Sequence, residues 1–476
     1  MKNSRTSRRK FVKSVGLAGG LLLLQPSAYA QAVQVFGRAC AKFTRKNINS
    51  LTATQLTALK NGVAVMKGRL PSNPTSWVYQ ANMHGTFDTP AQPAWSTCQH
   101  FTLFFLSWHR MYLYFFERIL RAASGSATFA LPYWNYFDAA SRQIPAAYRV
   151  PNDATNPLYE SNRDSTMNSG GSLPASAVSH TSAFAYVPFN SFSSSLEGTP
   201  HGDVHVTVGG GMGSFEFAAR DPVFWLHHCN IDRLWNRWIA RGGGRTNPVG
   251  DPNWMNTQFT FFDETGTQVQ MSGSQVLQTA AQLKYCYDEE RNWIEDRTER
   301  KAFVARQWLR DVLVASEKLE LTAKTARIVL NLDDKAKSEI SGAVARSADD
   351  DAAPQLFLDF EGAEGQPPEG YYEVYINLPE NIQDPEYQSP FYAGNLSFFG
   401  LGSPQAGHRH EKPRFRLPVT NFLRRESARG ILRGNKLTLT LVGRGPISPE
   451  GRQLPLSPDS RVQLERVTLS IERPSR

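Results

Sequence analysis

Cysteine is scarce in this chain: 476 residues hold four, Cys40, Cys98, Cys229 and Cys286, at wide spacing. That excludes a disulfide-built scaffold and zinc-ribbon spacing, so packing must hold most of the core. Long hydrophobic runs are missing as well. The apolar run Val15–Leu24 is about half of the ~20 residues that span a bilayer, and no later stretch approaches that length, so the mature chain is expected to be soluble. Residues 1–30 contain no acid but hold Lys2, Arg5, Arg8, Arg9, Lys10 and Lys13, which leaves only +3 of the formal +9 charge for the chain after Ala30. The basic balance therefore argues little for a nucleic-acid partner. With 41% hydrophobic and 20% charged residues, wholesale disorder is excluded, and the length allows two or three domains at ~150 residues each.

The basic start, the apolar run and Ala28-Tyr29-Ala30, with small residues at −3 and −1, predict a signal peptide cleaved before Gln31. Ser7-Arg8-Arg9-Lys10-Phe11-Val12-Lys13 resembles a bacterial twin-arginine signature, which marks export of a folded, often cofactor-loaded protein. The expected location is periplasmic or secreted, with no membrane attachment once the leader is removed.

Ser50 is positioned to cap a helix over Leu51–Leu70 that Pro71 stops. Phe101–Ala123 reads as a long buried helix bounded by Ser124-Gly125. Asp221-Pro222, an N-cap followed by proline at the first helical position, opens a helix running through Trp238 to Gly242. Short β-rich segments follow at Arg327–Leu332, Gln355–Phe360, Tyr371–Leu378, Asn395–Phe399, Lys436–Val442 and Val462–Ile471, which suggests an antiparallel sandwich or barrel. Ser341–Pro354 reads as an exposed polar linker. The expected fold class is α + β, with a leader over residues 1–30, a mainly helical domain over 31–309 and an antiparallel β-sandwich over 310–476.

Seven of the ten histidines form two groups: His84, His100 and His109, then His201, His205, His227 and His228. His201 and His205, four apart, share a helical face and can hold one ion. His100 and His109 are nine apart, about 900° of helical rotation, so His100 must precede the Phe101 helix if both reach one metal. In the third helix Asp232 lies one turn beyond His228, where it can stabilise the helix, pair with Arg233 or orient a ligand. Two imidazole sets without carboxylates at ligand spacing favour copper over zinc-hydrolase chemistry.

These residues stand in motifs: Cys98-Gln99-His100-Phe101, Leu106-Ser107-Trp108-His109-Arg110, His201-Gly202-Asp203-Val204-His205, and Asp221-Pro222-Val223-Phe224 through His227-His228 to Asp232. The sequence resembles the type-3 copper family of tyrosinases, catechol oxidases and haemocyanins, and its layout is closest to plant-type polyphenol oxidases, with further matching stretches at Tyr371–Pro379, Tyr392–Asn395 and His408–Phe415. The resemblance implies a helical four-helix-bundle core holding one copper on His84, His100 and His109 and a second on His201, His205 and His228, with His227 lining the cavity. It implies a thioether between Cys98 and His100, and Glu197 as a water-holding carboxylate that serves as base toward a phenol. Gly202 and Val206 follow ligands and face the substrate, Gly202 favouring catechol oxidation over strong phenol hydroxylation, and Phe215 is a candidate gate. A plug from the C-terminal half would come from Tyr392, Leu396, Phe398 or Phe399. Cys229 is expected to pack, Cys40 and Cys286 can pair in an oxidising compartment, and His408 and His410 are expected to be solvated. The resemblance implies oxidation of o-diphenols to o-quinones and leaves monophenol hydroxylation (tyrosinase) open, with two coppers and dioxygen acting on a small phenolic substrate. The alternative is a haemocyanin-like dioxygen binder without turnover.

Overall fold

The computed structural model describes residues 42–290, 308–346, 353–366, 368–385, 389–401, 414–427, 434–445 and 454–474. The leader, Cys40 and the pair His408 and His410 lie outside the described residues. Helix predominates before residue 290 and sheet after 308, although the first part also holds the strand pair Phe43–Arg45 and Tyr285–Tyr287 and the hairpin Gln258–Phe262 with Gln268–Ser272.

Helix α1 (Ala53–Lys67) starts two residues later than expected, because Thr52 rather than Ser50 is its cap. Thr52 Oγ1 accepts from the Gln55 amide at 3.2 Å and Gln55 Oε1 accepts from the Thr52 amide at 3.0 Å, a reciprocal capping box. Helix α2 (Trp77–His84) is capped by Ser76. Helix α3 (Phe105–Ser124) ends at Gly125, whose φ of 68° only glycine adopts without strain. It begins four residues later than expected, since Phe101 takes φ 56° and spends its amide on Glu197 instead of a helical carbonyl. Beyond α4 (Phe189–Leu196) and α5 (Asp203–Val208), α6 (Pro222–Ala240) follows the expected register, with the Asp221 side chain accepting from the Val223 amide. Helix α3 is buried on nearly every face, packed on α1 and α6. At Gly62 the approach to α3 is so close that a Cβ would meet Leu120 Cδ1 at 2.8 Å, so any larger residue there separates the helices.

Asp232 does not pair with Arg233. Its carboxylate accepts from Arg110 at 2.5 Å, Arg45 at 3.2 Å and the hydroxyls of Tyr285 and Tyr287 at 2.6 and 2.5 Å, all buried. Arg233 turns instead to Glu289, Asn135 and Asn230. Burial pushes the Asp232 carboxyl up, but Arg110, Arg45 and the two hydroxyls outweigh it and hold it below its usual 3.8. A carboxyl lowered in the fold contributes stability above its unfolded value, lost as pH falls below about 3.8 through the lower folded value. Asp232→Asn is expected to cost about 3–5 kcal/mol at neutral pH, because Arg110 loses its buried carboxylate partner and Arg45 is left with Glu117 alone. Urea midpoints of the two proteins at pH 7 and pH 3 check this, the gap narrowing at the lower pH.

The C-terminal half is built from strands β1 (Trp308–Ala315), β2 (Leu319–Thr322), β3 (Ala326–Asn331), β4 (Gln355–Glu361), β5 (Glu364–Gln366), β6 (Tyr371–Ile376), β7 (Tyr392–Leu396), β8 (Arg414–Pro418), β9 (Lys436–Arg444), β10 (Arg461–Leu464) and β11 (Arg466–Pro474). Among the described residues they form three antiparallel sheets, ordered β7-β6-β9-β3, β8-β4-β11-β1 and β2-β10-β5. The segment expected as one strand over Val462–Ile471 is two, β10 and β11, in different sheets. Ser341–Ala345 is not linker but the last turn of a helix, Asp334–Ala345, whose Ile340, Ala343 and Val344 pack into the β core. Residues 347–352 of that expected linker lie outside the described residues. The second sheet turns a charged face toward α4: Arg416 binds Asp359 and Glu472, Arg310 binds Asp359 and Glu361, and Ser191 donates to Glu472.

Candidate metal centre

Four segments bring the two histidine groups together. His84 is the last residue of α2, His100 lies in the loop before α3, and His109 is in the second turn of α3, with ring centroids 5.1–5.9 Å apart. His201 lies in an irregular turn, Glu197–Gly202, His205 lies in α5, and His227 and His228 lie in α6. The groups face each other: His109 and His228 stack at 4.5 Å, and His100 and His201 are 5.3 Å apart. All seven rings are buried, and within each group the candidate donor atoms lie within 4.8 Å of one another, Cys98 counted with the first.

The hydrogen bonds fix where the lone pairs point. Nδ1 of His84, His109, His201 and His205 each faces a main-chain carbonyl, of Phe215, Phe105, Glu197 and Met212, at 2.8–3.0 Å. Nδ1 of His100 faces Glu197 Oε1 at 3.1 Å. These oxygens only accept, so Nδ1 carries the proton and Nε2 presents a lone pair. Nε2 of His84 and His100 then confront each other at 3.3 Å as two acceptors, while Nε2 of His201 is buried without a partner. One cation in each group would resolve both conflicts. Burial pushes His84, His201, His205 and His228 well below their usual pKa, and His109 and His227 to about 3, so the rings are neutral donors. Neither group contains a carboxylate. Neutral imidazoles suit copper in both oxidation states, whereas hard cations need oxygen.

The other sequence-derived residues sort around this centre. Glu197 Oε1 accepts from the Phe101 amide at 2.7 Å as well as holding His100, so it orients a donor imidazole. Phe215 packs on His84 at 4.7 Å and His100 at 5.2 Å. Val206 lines a cavity of about 520 Å³ with Phe215 and Leu401. Gly202 is covered by the C-terminal half: a Cβ there would meet Ser397 Oγ at 2.8 Å. The Tyr136 hydroxyl lies 3.1 Å from His227 Nδ1. Cys98 Sγ lies 3.3 Å from Nε2 of His109, a contact the expected Cys98–His100 pairing did not include. Cys229 is buried, with its thiol pushed up by that burial, as expected for packing. Cys286 is disulfide-bonded.

Of the four plug candidates one reaches the histidines. Phe399 stacks on His205 at 4.0 Å and lies 5.6 Å from His201. Phe398 points the other way, onto Tyr372 and Phe415, Leu396 is β core, and Tyr392 donates to Asn395. Sequence reasoning missed what holds this loop down. Asp203, between His201 and His205 in the chain, accepts from Asn395 at 2.9 Å and from Thr199 at 2.8 Å, tying α5 to β7. A carboxylate inside an otherwise apolar helix that carries a candidate donor was the available signal.

Comparison with known proteins gives three family matches: the common central domain of tyrosinase over residues 74–186 and 159–241, the polyphenol oxidase middle domain over 249–299, and a domain of unknown function (DUF7868) over 311–471. The chain is 34% identical over 299 residues to Tyrosinase HcTyr1 of Hahella sp. (strain CCB-MM4), a match covering 51% of this chain and 63% of that one. It is 30% identical over 286 residues to the chloroplastic latent form of polyphenol oxidase of Prunus armeniaca, covering 50% and 47%. The chain thus spans roughly half to three-fifths of the length of these relatives. The structure of latent apple tyrosinase superposes with a TM-score of 0.63 at 22% identity, covering 91% of this chain and 98% of that one, a likeness of fold. The two histidine groups are consistent with the dicopper centre of such proteins.

Proposed function

We propose, on the support that family matches and relatives give to membership of the tyrosinase and plant polyphenol oxidase family, that this chain is a copper-dependent oxidase turning o-diphenols into o-quinones. The observation that carries the reading is the pair of facing all-imidazole groups whose Nε2 lone pairs converge inside the core. His84, His100 and His109 would hold one copper, and His201, His205 and His228 the other. Bound copper supplies the binding and reduction of dioxygen, two diphenols and one dioxygen giving two quinones and two waters. The chain's own groups do the rest. Backbone carbonyls and Glu197 keep the donor tautomers, Glu197 is the base closest to an incoming phenolic proton, and Phe215 and Phe399 exclude water from the donors. With Gly202 after the first donor of its site, diphenol oxidation is the main activity and monophenol hydroxylation the lesser one.

In this reading residues 31–309 are a four-helix-bundle core, residues 310–476 a β-sandwich that shields it, and residues 1–30 a twin-arginine leader for export. Adding a catechol to the full chain with and without copper tests it: quinone colour with oxygen uptake in the copper-loaded protein alone is expected, and reversible dioxygen binding without quinone would mean a haemocyanin-like carrier. A covalent Cys98–His100 bond on copper loading is a further expectation. Peptide mass spectrometry should find a deficit of two hydrogens and a Cys98 that resists alkylation after denaturation. Ordinary alkylation of Cys98 in active protein would refute it.

A further inference from the structure

The cavity of about 520 Å³ lies beside the histidines and not on them, and its volume is that of a small-molecule site. Phe215 and Val206 line it on the side of the metal centre: the Phe215 ring is 4.7 Å from His84, and Val206 follows His205 in the chain. Phe87 lines it on the side of solvent. That ring is 62% exposed and meets Phe217 edge to face at 6.1 Å.

The charges around this space are one-sided. Asp164, Glu216 and Glu369 line it against a single cation, Arg163. The Arg163 guanidinium is already spent, with two bonds to Asp221 at 2.7 and 2.8 Å and others to the carbonyls of Tyr148 and Leu158. Asp164 accepts from the Thr166 and Met167 amides, and Glu369 is exposed. Glu216 differs from both. It is only 9% exposed, yet among the described residues its one hydrogen-bond partner is Ser214, at 3.2 Å on Oε2, and no cation pairs with it. Its Oε1 opens on the cavity without a partner. A carboxylate sunk in the protein without a counter-charge is costly, and an arriving cation relieves that cost.

The kind of cation follows from the rest of the lining. A metal ion needs several donors at once, and among the described residues only the two histidine groups bring three such donors together. Phenyl faces beside one carboxylate are instead the surroundings that attract an organic ammonium. We propose that this cavity is a binding site for an arylalkylammonium, a protonated amine on a short chain from an aromatic ring, with the ammonium on Glu216 and the ring against the Phe87 and Phe215 walls. The site is separate from the donor histidines, with Phe215 shared between the two.

The test is isothermal titration of the full copper-loaded chain, at physiological salt, with 2-phenylethylamine and with the neutral 2-phenylethanol. Neither has a phenolic hydroxyl to oxidise. The wild type is expected to favour the amine about tenfold, the worth of one charge-assisted hydrogen-bonding pair. E216Q, which keeps an acceptor for Ser214, should abolish that preference at unchanged melting temperature, and E216D should retain part of it. F87A, at an exposed position, should weaken both ligands about three- to tenfold and leave the preference intact. No preference in the wild type overturns the proposal. So does a preference that survives in E216Q, since the amine would then be held by copper, and so does unchanged affinity for both ligands in F87A, which would put them elsewhere.

Discussion

Phe399→Ala in the full chain is expected to raise diphenol turnover by about 10–100-fold at unchanged copper content. The ring stacks on His205 and is only 4% exposed, so it fills the space that a substrate ring must enter. Withdrawing a buried phenylalanine to water costs about 1.5–3 kcal/mol, which at 1.4 kcal/mol per factor of ten holds the open form at about one part in 10–100. Alanine removes that cost. The Asp203–Asn395 hydrogen bond remains, so the gain belongs to the plug and not to loss of the whole cover. Phe398→Ala is the control: its ring packs on Tyr372 and Phe415 in the β core, so it should lose about 3–5 kcal/mol of stability without an intrinsic gain in rate. Initial rates, copper by atomic absorption and melting curves on both variants decide. A flat or falling rate in Phe399→Ala at constant copper would sink the plug assignment.

His228→Ala is expected to leave one copper per chain and no diphenol oxidation, while His227→Ala keeps both metals with affinity weakened by no more than about 10–100-fold, the usual effect of a residue that only touches a ligand. The structure places both rings in the second group, so position alone does not separate them. Their partners do. His228 Nε2 meets His205 Nε2 at 3.1 Å and its ring stacks on His109 of the facing group, whereas His227 is held on Nδ1 by the Tyr136 hydroxyl at the group's edge. Copper counted after dialysis against a graded chelator separates the outcomes, and equal loss in the two variants would mean that the pair is misassigned.

The parts of the site legible in the sequence were those that local rules determine. Asp221-Pro222 fixed the start of α6 and with it the position of His228, and the nine-residue gap forced His100 out of α3. The illegible parts depended on distant chain. Asp232 draws Arg45 from 187 residues away and Tyr285 from 53, so nothing nearby could reveal that Arg233 was the wrong partner. Among the β segments, β1, β2, β5 and β8 went unrecognised; in β8, Arg414 and Arg416 look like surface residues, yet Arg416 is neutralised by ion pairs from neighbouring strands. The choice between Phe398 and Phe399 depends on where β7 stops. The strand ends at Leu396, and the turn that follows sends neighbouring rings to opposite sides.

The contact between Gly202 and Ser397 links two positions that would otherwise vary independently. Any side chain at 202 must claim the volume that Ser397 Oγ occupies, 2.8 Å from where its Cβ would stand. If the C-terminal half shields the centre as proposed above, a residue at 202 that tuned the reaction would also press on Ser397 and loosen that cover. Under that proposal, the chemistry open to mutation at 202 is limited by the packing of residue 397. A smaller residue at 397 is the change that would release that limit.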